Sequence, residues 1–262
     1  MKRSISNIGW NADEDEIVFN WMKEYGFEGL EIAPTRIIPV DPNDNLKQAE
    51  NWSETLLEMY GFVVPSMQSI WYGRSETLFG TKEERKTLLE YTKKAIDFAA
   101  TIGCGNLVFG CPKNRNLPEG VNEQVGIEFF KELGDYAKAK GTVIGMEANP
   151  PIYNTNYINR TKDALDLIEK VDSEGFLLNL DVGTMIENGE DVEVIKERVH
   201  RINHVHVSEP WLKPIEKRDL HTKLIQCLKE EGYKGFVSIE MGKTEEVNLL
   251  KEKMEYIAGI AE

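Results

Sequence analysis

The chain has 262 residues, with 31 basic against 45 acidic side chains and a formal net charge of −14. That length allows one large domain, and the negative excess argues against phosphate backbones and anionic lipid surfaces as partners. Three cysteines without C-x-x-C spacing, no apolar run near the ~20 residues that cross a bilayer, and a start unlike a signal sequence predict a cytoplasmic protein bound to neither nucleic acid nor membrane.

In chain order, short apolar runs alternate with amphipathic stretches. Residues 5–10 read as a strand, followed by helical spacing of Ile17, Val18, Trp21, Met22 and Tyr25 that stops at Gly26. Residues 30–32 form the second strand; a proline-punctuated loop leads to a helix carrying Trp52, Leu56, Leu57 and Tyr60. The third strand spans 62–68, and after a loop containing Trp71 and Tyr72 the pair Thr81 and Glu84 has the form of a capping box opening a long helix. Strand four spans 106–109 and leaves through Gly110, Cys111, Pro112, Lys113, Asn114 and Arg115; Phe130, Leu133 and Ala137 mark its helix.

Strand five, 143–147, is followed by an amide-rich loop and a helix opened by Thr161. Strand six, 176–181, is assigned a helix containing Val192, Ile195 and Val199. Strand seven lies within 201–209, where Ile202, His204, His206 and Ser208 alternate with Asn203, Val205, Val207 and Glu209, so both imidazoles share one face. Leu224, Ile225 and Leu228 mark the next helix, 236–240 the eighth strand, and Val247, Leu250, Met254 and Ile257 the last helix. Eight strand–helix pairs in about 250 residues predict a single-domain α/β protein over residues 1–262, a (β/α)8 TIM barrel. The rival, an open doubly wound sheet, lacks a G-x-G-x-x-G turn after strand one.

A barrel of this kind places its active site at the C-terminal ends of its strands. Four consecutive strands end there in groups able to bind metal: Glu147 on strand five, Asp181 on six, His204 and His206 on seven, Glu240 on eight. Buried carboxylates are costly unless paired or bound to a cation, and three on one rim repel one another. One divalent ion relieves that repulsion; mixed oxygen and nitrogen ligands suit Mn²⁺ first, with Mg²⁺, Co²⁺ or Zn²⁺ as alternatives.

With these four residues the chain resembles the xylose isomerase-like barrel superfamily of sugar and sugar-phosphate isomerases and epimerases, which includes the tagatose and psicose 3-epimerases. The resemblance implies that Glu147, Asp181, His206 and Glu240 hold the metal and that Glu147 and Glu240 also serve as the catalytic acid/base pair. It leaves His204 to a supporting or substrate-side role. The expected reaction is a proton transfer on a small sugar or sugar derivative through a metal-stabilised enediolate. The sequence departs from the epimerase pattern at Thr184, where those enzymes carry histidine, and at Leu212, where they carry arginine, so the core looks kept and the sugar-reading shell changed.

Further candidates for contact with the sugar are Trp10 and Trp71 as stacking faces, Glu31 and Gln68 near the ends of strands two and three, Arg115 as an anion grip with Lys113, Asn149 and Asn156 beside Tyr153 and Asn154, and Glu209 after strand seven. His200 and His221 are expected to be solvated on the outside. Rival functions are a metal-dependent lyase or dehydratase, a non-catalytic sugar-binding barrel, and an endonuclease IV-type nuclease. The last is disfavoured by a total of four histidines and by the charge. The expected partner is a small-molecule sugar, with a homo-oligomer left open.

Overall fold

The computed structural model describes residues 1–261. Seven strands, β1 Lys2–Ser6, β2 Gly29–Glu31, β3 Leu107–Phe109, β4 Ile144–Met146, β5 Phe176–Asp181, β6 Ile202–Val207 and β7 Phe236–Ile239, form one sheet in the order β2-β1-β7-β6-β5-β4-β3. Every pairing is parallel. The expected third strand lies between the two edge strands: Val63 bridges Gly29, and Met67 bridges both Ile32 and Leu107. Its backbone bonds run both ways, Gln68 N–H donating to the Ile32 carbonyl at 2.9 Å and Val108 N–H to the Met67 carbonyl at 2.8 Å, which closes the sheet into a ring. Pro65 removes one donor from this segment, so its pairing comes as isolated bridges.

Helices α1 Asp15–Glu24, α2 Pro34–Ile37, α3 Leu46–Tyr60, α4 Lys82–Thr101, α5 Gln124–Ala139, α6 Thr161–Val171, α7 Val182–Asn188, α8 Asp219–Glu230 and α9 Asn248–Ala261 connect the strands. The Thr81 capping box is formed: Glu84 N–H donates to Thr81 Oγ1 at 3.1 Å, and Thr81 N–H to Glu84 Oε2 at 2.8 Å. Two expectations need correction. The first strand ends at Ser6 and passes into a single 3-10 turn, Asn7–Gly9. The helix after the sixth strand is α7, which starts at once because Asp181 caps it, and Gly189 ends it in a left-handed conformation with φ 62°. Val192 and Val199 lie in 3-10 turns beyond it.

Barrel interiors are ordinarily filled by branched aliphatics. Here Ser4, Ser6, Glu31, Ser66, Gln68, Asn106, Asn179, His204, His206 and Ser238 are all buried. Ladder register sets Asp181 against His206 and His206 against Ser238, so neighbouring strands present these groups at one level. The aliphatic core lies between sheet and helices, with an aromatic run in which Phe130 meets Phe109 and Phe176, each at 4.9 Å between ring centres. No helix among the described residues is long and apolar enough to cross a membrane.

Candidate metal centre and active site

The fifth to eighth predicted strands are β4 to β7, and their C-terminal ends converge. Glu147, Asp181, His206 and Glu240 each offer a ligand atom, all within 4.8 Å of one another. His206 Nδ1 lies 3.2 Å from Glu147 Oε1 and 3.2 Å from Glu240 Oε2. Three carboxylates and one imidazole at this spacing fit a hard or borderline divalent cation.

Two of the three carboxylates are held from behind. Asn179 Nδ2 donates to Glu147 Oε1 and Asn149 Nδ2 to Glu147 Oε2, both at 3.0 Å. Asp181 accepts from Thr184 N–H at 2.7 Å, from the Thr184 hydroxyl at 2.9 Å and from the Ser208 hydroxyl. Neither Asn179 nor Ser208 is assigned a supporting role from sequence alone. The signal was there, since Asn179 sits two residues before Asp181, and Ser208 two after His206, on the same strand faces.

The electrostatics also fit a cation. Burial, then the charge of Glu147, push the Asp181 carboxyl up, and burial pushes the Glu240 carboxyl up to about 7. Burial works against charging His206, yet Glu240 and Glu31 carry its pKa well above the usual imidazole value. Burial opposes charge on Glu31 too, but the facing imidazoles of His206 and His204 outweigh it and hold its carboxyl well below the usual range. Burial lowers the pKa of His204. Crowded acids that retain protons, around an imidazole that gains one, are short of positive charge.

Beside this centre opens a cleft of about 170 Å³ lined by Pro112, Glu147, Asn149, Tyr153, Asp181, Ser208, Glu209, Leu212 and Glu240. Several residues expected to touch a sugar are placed elsewhere. Trp10 is buried with its indole N–H on Asp15 at 2.7 Å, and Trp71 is buried with its N–H on Thr92 at 2.8 Å and its ring edge-on to Phe109. Glu31, Gln68 and His204 lie in the polar interior: Gln68 Nε2 donates to Ser6 Oγ at 2.6 Å and to Glu31 Oε1 at 3.2 Å.

Arg115 is fully buried behind β4 rather than open to an anion. It donates to the Glu147 carbonyl at 2.9 Å, to Asn149 Oδ1 at 3.0 Å and to the Ile158 carbonyl at 3.3 Å. Asn156 pins two loops together through Leu117, accepting its N–H at 2.8 Å and donating to its carbonyl at 2.9 Å. Glu209 reaches the cleft, but its carboxylate is gripped by Arg218 at 2.7 and 2.6 Å. His221 is buried, not solvated, with Nδ1 3.1 Å from the Tyr256 hydroxyl between α8 and α9. Asn149 alone of the expected contacts both lines the cleft and supports a carboxylate of the centre.

A family model described as xylose isomerase-like TIM barrel matches residues 19–260. The chain belongs to the xylose isomerase-like TIM barrel family. Among solved structures, this family member is similar to a D-psicose 3-epimerase from Clostridium cellulolyticum H10, with TM-score 0.78, 17% identity and coverage of 100% of this chain and 98% of that one. It is also similar to a 3-keto-D-glucoside 4-epimerase from E. coli, with TM-score 0.75, 17% identity and 99% of both chains covered. A structure described as an AP endonuclease, family 2, from Brucella melitensis aligns with TM-score 0.74, 18% identity and 99% of both chains. At these identities the likeness is one of fold. No curated protein matches the chain in sequence.

Proposed function

We propose that this barrel is a divalent-metal-dependent isomerase or epimerase of a small neutral sugar. The observation that carries the reading is the convergence of Glu147, Asp181, His206 and Glu240 on one point beside a cleft that both glutamates line. A bound ion would supply positive charge for the sugar oxygen that becomes negative when the neighbouring carbon loses its proton. In the sheet order, β4 and β7 flank the β5–β6 pair, so Glu147 and Glu240 approach a bound sugar from either side of Asp181 and His206. One carboxylate takes the proton from the carbon beside the carbonyl, and the C–H electron pair becomes the double bond of an enediolate. The other returns a proton to the opposite face of that carbon for an epimer; for an isomer the proton goes to the adjacent carbon while the hydroxyl proton moves to the oxygen that was the carbonyl.

The neutral substrate follows from the lining. Lys and Arg are absent from the residues that line the cleft, and two nearby arginines are committed, Arg115 inside the protein and Arg218 to Glu209. A phosphate there would find no cationic side chain among the lining residues. The Tyr153 hydroxyl accepts the Trp211 N–H at 2.8 Å and keeps its own hydrogen to donate to a sugar oxygen. The same lining, and the packing of His221 outside the centre, support a sugar over a nucleic-acid phosphate.

Solvent exchange tests the reaction. Ketoses incubated with the Mn²⁺-loaded protein in D₂O should gain deuterium at the carbon beside the carbonyl, and Glu147→Gln or Glu240→Gln should abolish the gain. Metal binding without deuterium in any ketose would overturn proton transfer as the reaction.

A further inference from the structure

His206 is used at both ring nitrogens. Nδ1 faces the centre, with carboxylate oxygens of Glu147 and Glu240 at 3.2 Å and the donor Asn179 Nδ2 at 3.3 Å. Nε2 points the other way, 2.9 Å from Glu31 Oε2. Glu31 is at the end of β2, on the opposite side of β1 and β7 from β6, and reaches His206 across the barrel interior. Its side chain and that of His206 are both 0% exposed. A carboxylate this deep carries a desolvation cost of several kcal/mol in general, so a partner that only filled space would be better made apolar.

The rest of the packing around Glu31 fixes which bond it makes. Oε1 is taken by Gln68 Nε2 at 3.2 Å, and Gln68 also bonds Ser6. His204 Nε2 lies 3.0 Å from Oε2 but out of line, and it makes no hydrogen bond. Glu31, His204 and His206 also bring ligand atoms within 4.8 Å of one another. Against an ion there, His206 has one nitrogen left for a metal once Nε2 bonds Glu31, and that nitrogen faces the three carboxylates of the centre rather than the single one of Glu31.

We infer that Glu31 is a positioning residue for the metal centre: by accepting the Nε2–H of His206 it fixes the imidazole tautomer and ring rotation that aim the Nδ1 lone pair at Glu147, Asp181 and Glu240. This rests on the metal reading above and extends it to a residue on the far side of the barrel. Partners of a ligating histidine typically contribute about 10- to 100-fold to metal affinity. Gln at position 31 can still accept the N–H through its carbonyl oxygen, while Leu cannot.

The test is Mn²⁺ titration calorimetry on the parent, Glu31→Gln and Glu31→Leu, with thermal unfolding of each in chelator. Glu31→Leu should bind about 10- to 100-fold more weakly, Glu31→Gln should retain most of the affinity, and melting in chelator should fall in Glu31→Leu, because His206 Nε2 and Gln68 Nε2 lose a buried acceptor. Parent-like affinity in folded Glu31→Leu would overturn the inference, whereas a parent that takes up no ion would overturn the metal centre itself. A second measurement needs neither variant nor metal. Long-range ¹H–¹⁵N correlation of the metal-free parent, at alkaline pH where the ring is neutral, should show the proton of His206 on Nε2; a proton on Nδ1 would overturn the assignment even if Glu31→Leu failed to fold.

Discussion

Arg115 shows how far a side chain's direction departs from its neighbourhood in sequence. It follows a strand in a loop that also holds Lys113, which reads as an anion grip, yet the guanidinium turns inward and ties the Glu147 carbonyl, Asn149 and the Ile158 carbonyl together. Burial lowers its pKa to about 10 and leaves it charged at neutral pH. Arg115→Met should therefore strand two buried acceptors, the Glu147 carbonyl and Asn149 Oδ1, while Ile158 keeps the Asn149 N–H; at about 1–3 kcal/mol each this lowers stability by at least ~2 kcal/mol in a denaturant titration. An anion grip open to solvent would lose phosphate binding and almost no stability. Leu212 poses the converse question, because it lines the cleft and is 36% exposed. Leu212→Arg should add one charge-assisted hydrogen bond to an anionic substrate, about 1.5–3 kcal/mol, and raise kcat/KM for sugar phosphates relative to free sugars; an unchanged ratio would remove the lining as the basis of selectivity.

At the level of strands and helices, alternation was legible because each unit carries its own hydrophobic period and stop signal. The ends of strands five to eight were legible for the same reason, since period 2 fixes which residues share a face. Depth was not legible. Whether Glu31 opens to the cleft or lies beneath His206 depends on how the ring closes, and that closure passes through the 62–68 segment, whose single bridges leave little trace in composition. The helix after strand six was misassigned because Asp181 is at once the strand's last residue and the N-cap of α7, so no loop separates them. Gly145, in the middle of β4, marks how tightly the supporting layer is packed. A Cβ there would come 2.4 Å from Asn106 Oδ1 and 3.1 Å from the Asn179 Cβ. Gly145→Ala should cost about 1–3 kcal/mol of stability and, by moving Asn179 off Glu147, weaken Mn²⁺ binding; tight binding in a destabilised variant would separate the two effects.

For the molecule as a whole, the centre couples folding to protons and to metal. Glu240 keeps its proton up to about pH 7 in the folded chain, and Asp181 and His206 also hold protons above their ordinary values. Through these groups the folded state binds more protons than the unfolded one, and they remove stability as pH rises; His204 and His221, whose imidazoles burial pushes down, act oppositely, but only up to about pH 7, where unfolded imidazoles have lost their protons. Glu31 acts as these two do, but its contribution is complete once pH exceeds the ordinary carboxylate range and is lost only on acidification through its lowered folded pKa. A divalent ion reverses the trend, since it binds the deprotonated ligands and its affinity grows with pH. Calorimetric scans from about pH 7 to about pH 8.5 should show the melting temperature of chelated protein falling, and Mn²⁺ at 100 times its Kd should add about 2.7 kcal/mol. Titrations in buffers of different ionisation heat should find protons released on binding, more of them below pH 7 than above. Melting curves that ignore Mn²⁺ at every pH would mean that the converged carboxylates hold protons rather than metal, and the enzyme reading would fall with them.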